Sequence, residues 1–241
     1  MTWAELHGAL RGRGLIRADD ALRAEAAVGA VSGISYDSRT VTAGQVFVAL
    51  KGLHADGTSF ARQAIERGAA AVVSEEAAPD GVHVPWAIVE DARLAIAVLA
   101  AAFYRDPSRE MRVIGITGTN GKTTTAFLLA SIFDAARIPC GILGTVGYRI
   151  GDQVREATRT TPEAPEVQAL LREMVDRRCG ACAMEVSSHA LSLRRVDGIR
   201  FAAAVFTNLT RDHLDFHADM DDYFRAKRRL FELLPKDAPG S

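Results

Sequence analysis

Apolar positions change their period along this chain, and the changes predict alternating elements. Residues 46–50 (Val46, Phe47, Val48, Ala49, Leu50) form a short apolar run after Gly44 and read as a strand. Residues 59–67 carry a helical pattern, 69–73 a strand after Gly68, and 84–89 a further strand after Pro79, Asp80 and Gly81. An alanine-rich helix is expected over 91–104, with Asp91 at its start, where a negative side chain suits the helix dipole. Pro107 and Ser108 close that helix, so two domains are expected, 1–108 and 109–241.

Beyond this boundary the alternation is more regular. A strand is predicted at 113–117, a turn at 118–121, and a helix over 122–136 that stops before Pro139. Further strands are expected at 140–146, 181–186 and 201–207, with helices at 165–177 and 221–234. Strands that alternate with helices predict an α/β protein whose mainly parallel sheet is covered on both faces.

Composition narrows the class of partner. The chain has 241 residues, enough for one or two cores; 48% are hydrophobic and 24% charged, which excludes a disordered, collagen-like or disulfide-framework chain. Twenty-nine Lys and Arg against 30 Asp and Glu leave no overall field for nucleic acid or an anionic membrane, so small-molecule partners are expected. The N-terminus has no basic start followed by an apolar run, and the longest apolar stretch, 94–103, is too short to span a bilayer. A cytoplasmic protein is expected. Three cysteines fit a reducing compartment. Cys179 and Cys182 have the spacing of half a zinc site, but they lead into the apolar run 181–186 and read as buried strand-entry residues.

The strongest chemical signal is Gly118-Thr119-Asn120-Gly121-Lys122-Thr123-Thr124, between a strand and a helix. Glycines let backbone approach phosphate oxygens, N–H groups at a helix start point at the anion, Lys122 neutralises charge, and the Thr123 hydroxyl suits magnesium. The spacing departs from the common form, because Ile116 stands at the first glycine position and Gly115 one earlier. Met184-Glu185-Val186-Ser187-Ser188-His189 ends another strand, where Glu185 could hold a metal beside a nucleotide. Residues 207–215 follow a third strand, and His213 there could be a second metal ligand, although a lone histidine in such a loop is more often a hydrogen-bonding residue.

Lys227 falls inside an apolar stripe of Tyr223, Phe224, Leu230, Phe231 and Leu234. Two readings stand: a stem that reaches out to water, favoured by pattern alone, and a buried, easily deprotonated lysine with a chemical task. Asp37-Ser38-Arg39 and the stretch 52–57 read as turns.

Taken in order, Asp37-Ser38-Arg39, residues 118–125, Thr160-Thr161-Pro162, residues 184–189, residues 206–215 and Ala226-Lys227 resemble the Mur ligase family. Within it they are most similar to the ligases that add the third peptide residue in peptidoglycan synthesis. The resemblance covers about residues 32–234; the phosphate loop alone would indicate only a wider group that includes folylpolyglutamate synthetases.

The resemblance implies an N-terminal mixed α/β domain that binds a UDP-sugar, then an incomplete phosphate-loop ATPase domain, with a C-terminal amino-acid-binding domain absent. It implies an ATP-dependent amide ligase that forms an acyl phosphate on UDP-MurNAc-L-Ala-D-Glu and joins it to meso-diaminopimelate, or less readily L-lysine. Gly118, Thr119, Asn120, Gly121, Lys122, Thr123 and Thr124 would bind ATP. Thr123, Glu185, His213 and a carbamate on Lys227 would surround Mg2+, and Lys122, Glu185, His213 and Lys227 would be catalytic. Tyr36, Ser38, Leu53, His54, Ala55, Thr160, Thr161, Ser187 and Arg195 would bind the UDP-sugar peptide. Arg159 and Leu193 depart from the pattern, standing where Asn and Gln occur in relatives. A monomer without nucleic-acid or membrane partners is implied. If the chain ends short of the enzyme, its expected role is a UDP-sugar or nucleotide-binding module without turnover.

Overall fold

The computed structural model describes residues 1–19, 29–52 and 56–236. Two compact units result, Met1–Phe103 and Tyr104–Ser241.

The first unit opens with helix α1 (Trp3–Gly12), whose start is fixed by a capping box: the Thr2 hydroxyl accepts from the Glu5 amide, and the Glu5 carboxylate accepts from the Thr2 amide. Strands β1 (Ile16–Asp19), β2 (Gly33–Ser35) and β3 (Gln45–Val48) follow. A 3-10 turn, Gly57–Phe60, leads into α2 (Ala61–Glu66), and β4 (Ala71–Ser74), β5 (Trp86–Val89) and α3 (Ala92–Phe103) complete the unit. The sheet order is β1-β5-β4-β3-β2, parallel except for β1 against β5. Alternate residues of β3 and β4 feed opposite faces. Val46, Val48, Ala71 and Val73 pack under α1 and α3, while Phe47 and Val72 pack with Ala61, Ala64 and Trp86.

The second unit begins with a 3-10 turn at Pro107–Arg109, then β6 (Arg112–Thr117), α4 (Lys122–Ala135), β7 (Cys140–Leu143) and the hairpin β8 (Tyr148–Ile150) and β9 (Gln153–Arg155). Next come α5 (Ala164–Asp176), β10 (Ala181–Glu185), α6 (Ser188–Ser192), β11 (Phe201–Phe206) and α7 (Met220–Glu232). The sheet runs β11-β6-β10-β7-β8-β9, with β11, β6, β10 and β7 parallel and the hairpin antiparallel. One face, with Val113, Cys182 and Met184, packs against Val167, Leu171 and Leu230; the other, with Ile114, Ile116 and Ala183, packs against Ala126 and Ala130 of α4. The fold class is therefore mixed α/β with two mainly parallel sheets.

Two expectations need correction. The strand expected over 140–146 stops at Leu143: the chain bends over residues 144–146, and Gly144 approaches the Glu185 carboxylate so closely that a Cβ there would overlap it. The apolar stripe on α7 is displaced: Tyr223, Ala226, Lys227 and Leu230 are buried, whereas Phe224 and Phe231 are 43% and 39% exposed. All three cysteines are buried and unpaired.

Candidate active site

Four parallel strands end on one edge of the second sheet, at Thr117, Leu143, Glu185 and Phe206, so the loops after them open together. That edge is where parallel α/β sheets present ligand crevices. The loop after β6 ends at Gly121, which precedes α4 with φ of 82° and supplies no side-chain cap. The first-turn N–H groups of α4 therefore remain available to an anion. Lys122 folds back on its own loop, donating from Nζ to the carbonyls of Gly118 (2.9 Å) and Thr119 (2.8 Å). Thr123 is half-buried and Thr124 exposed in the first turn of the helix.

Glu185, at the end of β10, is buried, and both its oxygens accept from Thr145: Oε1 from the amide at 3.1 Å, Oε2 from the hydroxyl at 3.1 Å. The buried Thr161 hydroxyl donates to the Glu185 carbonyl at 2.9 Å and accepts from the Ser187 amide at 3.1 Å, stitching residues 160–161 to the strand end. Ser187 caps α6, its hydroxyl accepting from the Ala190 amide. Arg195 donates to the Thr161 carbonyl at 3.1 Å and pairs with Glu163 at 2.7 Å; Glu163 also holds Arg159 at 3.1 Å.

A cavity of about 560 Å³ collects Lys122, Thr145, Arg159, Thr160, Thr161, Ser187, His189, Arg195 and His213. Six of these were singled out in the sequence as site candidates: Lys122, Thr160, Thr161, Ser187, Arg195 and His213. Arg159 was marked there only as a departure. Thr145 was missed, because its task lies in contacts to Glu185 and Thr160 across 40 and 15 residues, which no local pattern shows. His213 sits in a left-handed turn (φ 52°), with its ring edge-on to His189 at 4.9 Å. Burial and the neighbouring rings of His213 and His217 push the His189 pKa below its usual value.

Lys227 does not reach water. It is 1% exposed, donates to the Gly118 carbonyl at 2.8 Å, and lies 4.3 Å from the Tyr223 ring centre. Burial, with a smaller push from Lys122, lowers its pKa to about 7. Burial likewise lowers Lys122, against the pull of Glu185 and Asp212. The expected carbohydrate-side residues of the first unit are placed by themselves: Ser38 is buried and donates to Gln63 Oε1 at 2.7 Å, and Tyr36 packs against the first core. Leu53, His54 and Ala55 lie outside the described residues.

Among the described residues, no three His, Cys, Asp or Glu side chains enclose a metal by themselves, and no helix is long and apolar enough to cross a membrane. One buried carboxylate with threonine hydroxyls nearby is nevertheless a donor set that fits magnesium, which takes one or two carboxylates and leaves its other positions to water and phosphate.

A phosphate-type loop at a strand–helix junction, beside a cation-rich cavity on the carboxyl edge of a parallel sheet, defines an α/β protein of the phosphate-loop class. Family models refine this. Residues 30–104 match the model described as Mur ligase family, catalytic domain, and residues 116–239 match the Mur ligase middle domain. The chain belongs to the Mur ligase family.

It is 52% identical over 209 residues to a UDP-N-acetylmuramyl-tripeptide synthetase of Roseiflexus sp. (strain RS-1), covering 85% of this chain and 41% of that protein. It is 52% identical over 208 residues to the UDP-N-acetylmuramoyl-L-alanyl-D-glutamate--2,6-diaminopimelate ligase of Geobacter sulfurreducens, covering 86% and 41%. A solved structure of a ligase with the same name superposes with a TM-score of 0.73 at 33% identity, over 85% of this chain and 42% of that one. MurF from Acinetobacter baumannii shares the fold, with a TM-score of 0.63 at 23% identity, over 99% and 48%. The chain thus spans about two fifths of the length of the relatives it matches.

Proposed function

We propose that this chain forms the UDP-sugar-binding and ATP-binding parts of a cytoplasmic, monomeric amide ligase of peptidoglycan precursor synthesis. The reaction adds the third amino acid, meso-diaminopimelate in preference to L-lysine, to UDP-MurNAc-L-Ala-D-Glu with consumption of ATP. One observation carries the reading: a single cavity joins Lys122 of the phosphate-type loop to Arg195, Ser187, Thr160 and Thr161. Phosphate donor and carboxylate acceptor can therefore meet in one space, in a chain about half identical to proteins named for this reaction. The diaminopimelate preference rests on the names of those relatives.

The residues divide the work. Lys122 exchanges its two carbonyl partners for phosphate oxygens, and the first-turn N–H groups of α4 take the rest of the anionic charge. Arg195, held by Glu163 and the Thr161 carbonyl, presents a fixed cation to the acceptor carboxylate. An acceptor oxygen attacks the terminal phosphorus and ADP leaves; the amine then attacks the acyl phosphate and inorganic phosphate leaves. Thr123, Glu185, His213 and a carbamate on Lys227 would hold magnesium, which supplies positive charge between the repelling anions. With a pKa of about 7, about half of the Lys227 amine is neutral near pH 7; the lone pair of the neutral form can bond carbon dioxide with loss of one proton, leaving a carbamate anion where an ordinary lysine would carry a cation.

Phosphate release from ATP that requires both UDP-MurNAc-L-Ala-D-Glu and diaminopimelate tests the reading in the gene product that carries these residues. Thermal-shift titration of the 241-residue chain separates the alternatives. Stabilisation by the UDP-sugar peptide and by ADP supports the assignment; stabilisation by folate alone overturns it in favour of a folylpolyglutamate synthetase. Binding of both ligands without phosphate release restricts this chain to a binding module.

A further inference from the structure

The segment after β11 does more than carry His213. Residues 207–210 run beside the phosphate-type loop and bond it step by step: Thr207 N–H to the Thr117 carbonyl (3.0 Å), Thr119 N–H to the Asn208 carbonyl (2.9 Å), and Thr210 N–H to Thr119 Oγ1 (3.0 Å). Asn208 then grips Asn120 from both sides. Its Oδ1 accepts from the Asn120 amide at 3.0 Å, and its Nδ2 donates to the Asn120 carbonyl at 3.1 Å. The Thr207 hydroxyl donates to the same carbonyl at 2.6 Å.

The Asn120 carbonyl and the Gly121 N–H belong to one trans peptide and point in opposite directions. Two donors on the carbonyl therefore turn the Gly121 N–H away from residues 207–208, to the other side of the loop. Gly121 sits at φ 82° and, as glycine, tolerates either sign of φ, so nothing in its own backbone prevents this peptide from flipping. A flipped peptide would offer an anion a carbonyl oxygen in place of a donor. The grip also uses up the Thr119 and Asn120 amides, which leaves Gly121 and the first turn of α4 as the donors for phosphate.

We propose that Asn208, with Thr207, is a positioning residue of the nucleotide site that locks the Asn120–Gly121 peptide with its N–H toward the phosphates. The proposal rests on the nucleotide-binding reading above.

The test titrates ADP with magnesium into the 241-residue chain by calorimetry, using wild type, Asn208→Ala, Asn208→Asp and Thr207→Val, with 15N amide spectra of each. Loss of the lock reduces the population of the competent peptide, so Asn208→Ala and Thr207→Val are expected to weaken ADP about ten-fold. Asn208→Asp, which sets an oxygen against the Asn120 carbonyl, is expected to weaken it further. The Asn120 amide should exchange faster and the Gly121 resonance broaden, while the unliganded melting temperature changes little. Wild-type affinity in both alanine and aspartate variants overturns the proposal, as does a loss explained by the unfolded fraction from circular dichroism. If wild type binds no ADP, the nucleotide reading fails separately, and an unchanged Asn120 exchange rate in Asn208→Ala then overturns the lock itself.

Discussion

Replacing Lys227 by methionine should change how stability depends on pH. The amine is 1% exposed, and its pKa falls from 10.5 to about 7. The Gly118 carbonyl and the Tyr223 ring return only part of the hydration it gives up. Between those two values the unfolded chain holds a proton that the folded chain has released, so stability rises with pH across the window. The contribution is fully present above pH 10.5 and is lost as pH falls through about 7. At 1.36 kcal/mol per unit, the whole displacement is on the order of 5 kcal/mol, with a slope near 1.4 kcal/mol per pH unit at most. Lys227→Met removes the titrating group and keeps an apolar stem of similar length. Urea unfolding of both proteins from pH 7 to 10, in buffers purged of carbon dioxide, reads the difference. The methionine variant should be the more stable at pH 7, and its advantage should shrink steadily toward pH 10. Parallel stability curves for the two proteins would refute the reasoning, because a lysine with an ordinary pKa gives no slope in this range.

Three further outcomes are expected. Trp3→Ala empties a fully buried position of the first core and should cost about 3–5 kcal/mol, seen as a lower melting temperature. Asp197, 4% exposed, receives both Arg229 and Arg194; Asp197→Ala should cost about 3 kcal/mol in denaturant unfolding, and adding Arg229→Met should restore part of it. Glu163→Gln loosens the hold on Arg195, so calorimetry should show roughly five- to ten-fold weaker binding of UDP-MurNAc-L-Ala-D-Glu, about 1 kcal/mol; an unchanged affinity would show that Arg195 needs no anchor.

Most of the parallel strands were legible as short apolar runs beside glycines or prolines, and helices α3, α4, α5 and α7 as longer patterns that end near such residues. Helix α1 also carries a sequence mark of its start, Thr2 and Glu5 at capping-box spacing. Strands β1, β2, β8 and β9 are as short as β3 or β4 but lack a continuous apolar run, since Arg17, Ser35, Arg149 and Arg155 interrupt or end them. Lys227 shows what pattern can and cannot decide. Its place near an apolar stripe was visible, but whether its amine reached water depended on the Gly118 carbonyl and Tyr223, set by the fold. The same holds for Thr145 and Asn208, whose partners lie 40 and 88 residues away.

One close contact carries a consequence for how this sequence can drift. Gly118 has φ of 138°, and a Cβ there would overlap the Thr207 hydroxyl. A mutation that enlarges residue 118 collides with Thr207. One that first clears space at Thr207 surrenders the hydroxyl that holds the Asn120 carbonyl, and still leaves a backbone angle hostile to any side chain. Neither order of steps runs through a fit intermediate. Two loops distant in the gene are thereby bound into one heritable unit, and descendants should keep both residues or lose the loop altogether.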